Sequence, residues 1–208
     1  MTRETEIFAA LVPAPDSLRV LATRALVSIE RELNALRGEY ASLSVALEVA
    51  KAADLFTALA DRARAAVGTE PHAQSDALLT DLWQDTRGRN HFEQLFSVHL
   101  NAGFIEDALG HWGAEGLEDL LGWQEAHEVL VGVFKKLFEL DNRLDDRLAM
   151  WGRRIAGISV LWSRRIVGVE AGQSPDEVIE GADQLVEAMV TELFAQHSRR
   201  MNALALAA

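Results

Sequence analysis

The sequence predicts an all-α fold, a bundle of four to six mostly long antiparallel helices, and three observations predict it. Apolar residues recur at three- and four-residue steps through most of the 208 positions, the period of a helix with one buried face. The four prolines, Pro13, Pro15, Pro71 and Pro175, stand at the borders of those periodic runs rather than inside them. No segment reads as a strand: "IAGISVLW" has β-branched residues but keeps the heptad phase of the stretch before it.

Residues 1–15 are expected to form an N-terminal arm and 16–208 a single helical-bundle domain. The first helix follows "PAPD", with Asp16 or Ser17 as N-cap and Leu18, Leu21, Ala25, Ile29, Leu36, Tyr40, Leu43 and Leu47 on its apolar stripe. Glu32 takes the step between Ile29 and Leu36. Gly38 marks a candidate kink or break, and an alanine-rich continuation runs to Gly68, a residue suited to a helix end. After "GTEPHAQSD" comes a shorter helix, "ALLTDLWQD". Asn90 and Glu93 in "NHFE" form a variant capping box that starts the next helix, whose stripe is Leu95, Val98, Ala102, Ile105, Leu109 and Trp112.

The stretch from Leu120 to Trp162 fits two heptad series. One reads Leu120, His127, Phe134, Asp141, Leu148, Ile155 and Trp162, the other Trp123, Leu130, Leu137, Leu144, Trp151 and Ile158. Only His127 and Asp141 are polar. One helix of about 50 residues or two, divided near "DNRLDD" or "WGRR", both satisfy the pattern. The last helix is expected at "SPDE", with Ser174 as N-cap, Pro175 at the first helical position and Glu177 completing the box. Its buried face reads Val178, Ala182, Leu185, Met189 and Leu193, and the tail "MNALALAA" is expected to fray.

Composition narrows the function. A net charge of −12 disfavours binding to nucleic acid, because a phosphate backbone would be repelled. The absence of cysteine removes disulfides, thiolate metal sites and thiol nucleophiles. The apolar run "IFAALV" near the N-terminus is too short for a signal-peptide core, no run is long enough for a membrane span, and the expected location is cytoplasmic. The paired arginines Arg153/Arg154, Arg164/Arg165 and Arg199/Arg200 read as solvated helix faces.

Searches for chemistry exclude most motifs. No phosphate-binding glycine loop and no G-x-S-x-G elbow occurs, and neither Glu-x-x-His, as in di-iron bundles, nor H-E-x-x-H is present. "DNRLDD" puts Asp141 and Asp145 on one face, a weak match to magnesium-binding acidic helices. His127 and Asp141 lie roughly 20 Å apart along an unbroken helix and cannot share an ion. The remaining constellation is Glu32, His99 and His127 as metal ligands, with His91 as an alternative to His99. Trp123 and Trp151, which bracket the segment from His127 to Asp141, are candidates for an apolar ligand pocket.

No motif of ferritin-like, haemerythrin-like, molybdoenzyme-chaperone or phasin proteins matches residue for residue. The first expectation is therefore a nonenzymatic helical interaction or assembly protein, forming a homo-oligomer or docking a protein partner. The alternative is a metal- or small-ligand-binding bundle of the ferritin-like type, with oxidative chemistry open to it and its site between helices.

Overall fold

The computed structural model describes residues 13–113, 116–166 and 182–207, and these form seven helices with no strand among them. They are α1 (Pro15–Tyr40), α2 (Ala46–Val67), α3 (Ala73–Asp85), α4 (His91–Gly113), α5 (Gln124–Leu140), α6 (Leu144–Ile166) and α7 (Ala182–Ala203). The count exceeds the expected four to six because both long periodic stretches are divided. The "SPDE" start and Val178 lie outside the described residues.

The first division falls at residues 41–45, not at Gly38, which stays helical. Tyr40 and Val45 are both fully buried and stand five residues apart, a step no single helix face accommodates, so the chain turns between them. The Tyr40 hydroxyl donates to the His91 carbonyl oxygen at 3.0 Å and pins that turn to the start of α4. α1 itself begins ahead of the expected cap at Asp16 or Ser17: Ala14 is the cap and Pro15 occupies the first turn, where its fixed φ and missing N–H cost nothing. Gly68, at φ +99°, closes α2 as expected.

The second division falls at "DNR". Asp141 leaves the helical conformation and its Oδ1 accepts the N–H of Arg143 at 3.0 Å, an Asx turn that ends α5 and admits α6. Asp141 is therefore an exposed turn former, while every apolar heptad residue on either side is buried except the half-buried Ile158.

Ion pairs give the helix directions. Arg37–Asp54 and Arg64–Glu30 set α1 antiparallel to α2, and Lys51–Glu125 with Lys136–Glu48 do the same for α2 and α5. α4 and α7 are antiparallel too, as Arg200–Asp107 and the Phe104–His197 and Trp112–Met189 contacts require. α3 departs from the expected pattern: Arg24–Asp76 and Ser28–Trp83 run it parallel to α1.

α4 is the central element, packed on α1, α5, α6 and α7. Its expected stripe is buried, and so are Ser97, His99 and Asn101 on its other sides. One apolar cluster runs from Leu18 to Leu206. The tail does not fray: Leu206 N–H donates to Met201 O and Ala205 N–H to Asn202 O, each 2.9 Å, with Met201, Leu204 and Leu206 all buried. This is a Schellman closure with a non-glycine residue, Ala205, at φ +57°. No helix among the described residues is long and apolar enough to cross a membrane.

Candidate functional site

α4, α5 and α7 leave a cavity of about 420 Å³ between them. Its polar walls follow from helical periodicity. α4 contributes His99, Glu106 and Asp107, α5 contributes Gln124, His127, Glu128 and Val131, and α7 contributes Gln196, Arg199, Arg200 and Ala203. On α5 and α7 the spacing is i, i+3, i+4, i+7, one face of a helix, and on α4 it is i, i+7, i+8. Three helices that bury apolar stripes elsewhere thus turn polar stripes towards one another here.

Glu106 organises the α4–α5 side. Its Oε1 accepts the backbone N–H groups of Gly122 at 3.0 Å and Trp123 at 2.8 Å, which caps the start of α5 with a carboxylate from another helix. Its Oε2 lies 3.1 Å from His127 Nε2. Burial pushes the Glu106 pKa up, but the hydrogen bonds from His127, Trp123 and Gly122 together outweigh it and hold the carboxyl below its ordinary value.

His99 lies about two turns before Glu106 on α4. It is 1% exposed, its ring centroid lies 5.6 Å from that of His127 and 5.7 Å from that of Phe134, and neither ring nitrogen makes a hydrogen bond within the protein. Burial first, then the proximity of His127 and Arg200, depresses its pKa well below the usual histidine value, so it is a neutral imidazole. His127 Nδ1 is likewise buried without a partner.

Arg200 forms the opposite wall. It pairs with Asp107 and its Nη2 donates to the Gly103 carbonyl oxygen at 2.9 Å, while Nη1 is buried and unbonded. Gly103 makes this possible, because a Cβ there would lie 2.1 Å from Arg200 Nε and 2.5 Å from Cζ. Burial raises the Asp107 pKa, and Arg200 offsets only part of that rise.

Of the residues singled out from the sequence, His99 and His127 meet at this cavity. Glu32 does not line it: it accepts from Gln94 Nε2 at 3.0 Å, and Gln94 is rotated about 140° around α4 from His99. His91 packs against Tyr40 at the start of α4, with ring centroids 5.2 Å apart. Among the described residues no three His, Asp or Glu side chains are grouped so as to hold a metal ion. Neither Trp123 nor Trp151 lines this cavity. Trp123 is fully buried, edge-on to Phe56 with its indole N–H on Leu120 O, and Trp151 donates to Ser97 Oγ at 2.9 Å beneath Arg154. The other three tryptophans act in the same way, donating to Ser28 Oγ, Leu78 O and Met189 Sδ across helix interfaces.

Sequence reasoning missed Glu106, Asp107 and Arg200. A signal existed in the polar i, i+3, i+4 runs on α5 and α7, but it is indistinguishable by spacing from a solvated face. The sequence matches no protein-family model and no curated protein at a significant level.

Proposed function

We propose that this chain is a small-molecule-binding helical bundle whose ligand sits between α4, α5 and α7. The observation that carries the reading is that three residues lining one cavity carry four buried polar atoms without a hydrogen-bond partner: His99 Nδ1 and Nε2, His127 Nδ1 and Arg200 Nη1. Protein interiors hydrogen-bond nearly all such atoms, and a ligand pocket is where the exceptions gather. The cavity volume lies within the usual range of about 300–1,000 Å³ for small-molecule sites. The test is methyl NMR of Val131 and Ala203 against a mixed set of neutral, cationic and anionic fragments. Binding that shifts both methyls in the native chain and is abolished in Val131→Trp supports the reading, and a set in which no fragment moves either methyl ends it.

Assembly into a homo-oligomer is a second reading, supported by Met150 and Leu161, which are 64% and 54% exposed and share a face of α6. Light scattering after size exclusion decides it. A discrete oligomer that dissociates in Met150→Glu/Leu161→Glu supports assembly, and a monomer in the native chain removes it.

A further inference from the structure

Resting on the reading of the cavity as a ligand site, we infer that its ligand is a small monocarboxylate bearing a hydroxyl or N–H donor, the carboxylate on Arg200 Nη1 and the donor on the imidazole of His99. The assignment follows from which hydrogen-bonding capacity the walls have already used and which they have left.

The acidic groups are engaged. Glu106 accepts from three donors, Asp107 from Arg200, and Glu128 from Gln124 Nε2 at 2.7 Å. What remains on the Arg200 wall is a guanidinium N–H, which has no acceptor function and asks the ligand for an oxygen. Guanidinium pairs best with an oxyanion. Gly103 and Asp107 hold that guanidinium in place, so it meets a ligand already oriented.

The imidazole wall asks for the opposite. His127 Nε2 faces the ionised Glu106 carboxylate, which only accepts, so Nε2 carries a proton, and Nδ1 is left without a partner. Neutral His99 has one lone pair and one N–H, both unpaired within the protein. The His99 lone pair requires a donor from the ligand.

Charge sets the limit of one carboxylate. The lining holds three carboxylates, Glu106, Asp107 and Glu128, against two guanidinium groups, Arg199 and Arg200. Arg200 is already paired with Asp107 and Arg199 with Glu192, so a second negative charge on the ligand would face Glu106 and Asp107 with no unpaired cation to receive it.

The experiment is titration calorimetry of the full chain with a series on one scaffold: mandelate, phenylacetate, 1-phenylethane-1,2-diol, 2-amino-1-phenylethanol and phenylmalonate. Mandelate is expected to bind at least tenfold more tightly than each of the others, and on the unaltered protein its addition shifts the Arg200 guanidinium and His99 ring 15N resonances. Arg200→Lys narrows the margin of mandelate over the diol, because ammonium lacks the forked geometry. Binding of the diol, the amine or phenylmalonate as tight as mandelate overturns the ligand class and leaves the cavity reading standing. If none of the five binds and the Val131 and Ala203 methyls respond to no fragment, both fall. If those methyls respond only to fragments without a carboxylate, this inference alone falls.

Discussion

Gly103→Ala isolates the packing that shapes the cavity. In an ordinary helix interior the change stabilises by about 1 kcal/mol, since glycine carries the larger entropy loss. Here the new Cβ would stand 2.1 Å from Arg200 Nε, 2.5 Å from Cζ and 2.8 Å from Cδ, so the guanidinium must leave. It then abandons Asp107, and the two side chains are only 16% and 17% exposed. Depriving a buried ion of its partner costs about 3–5 kcal/mol, and access to water through the cavity puts this case near the lower figure, about 3 kcal/mol. The net expectation is destabilisation by about 2 kcal/mol. Gly110→Ala on the same helix is the control: nothing lies within 4 Å of its Cβ, and a gain of up to about 1 kcal/mol is expected. Urea unfolding with unchanged m-value measures both. In an Arg200→Met background Gly103→Ala should change sign and stabilise. Equal stabilisation by the two alanines in the native background would refute the reasoning.

Three further outcomes are expected. His197 is 2% exposed, stacked on Phe104 and near Arg200; burial, then Arg200, lowers its pKa from 6.5 to about 4. Its neutral form is thus favoured by folding, a stabilisation complete above pH 6.5 and lost as pH falls to about 4; the full span is worth about 3 kcal/mol. His197→Leu should flatten the pH dependence of the urea midpoint across that window, and a slope identical to that of the native chain would exclude His197 as its source. Ser97→Ala removes the acceptor of the buried Trp151 indole N–H and should cost about 1–3 kcal/mol, most of it recovered by adding Trp151→Phe in a double-mutant cycle. Ala205→Gly relieves the left-handed backbone at φ +57° and should stabilise by about 1 kcal/mol, raising the thermal midpoint by about 2–4 °C, whereas an unchanged midpoint would mean the C-terminal closure contributes nothing to global stability.

Where helices lie was legible in the sequence, because a buried face imposes its period on the residues that make it. The stripe Leu95 to Trp112 is buried throughout, and so is nearly all of the double heptad series. Breaks were less legible. Gly38 stays helical although glycine is the weaker helix former, and the chain turns at 41–45 because Tyr40 and Val45 must both reach the core. The tail reads as alanine-rich and frayed, yet Met201, Leu204 and Leu206 are held by contacts that local propensity does not contain.

By itself the sequence determined the helical class, the position of most apolar faces, the end of α2 at Gly68, the cap of α4 at Asn90, and His127 as a polar residue where an apolar one was due. Each is a local property, set by periodicity or by a residue's own conformational preference. Tertiary structure alone decided that Glu106 rather than Glu32 meets His127, that Arg200 lies in a notch made by Gly103, and that polar faces of α4, α5 and α7 enclose a cavity instead of facing water. A polar stripe has the same spacing whether it meets solvent or another helix, and only the packing of elements distant in sequence settles which.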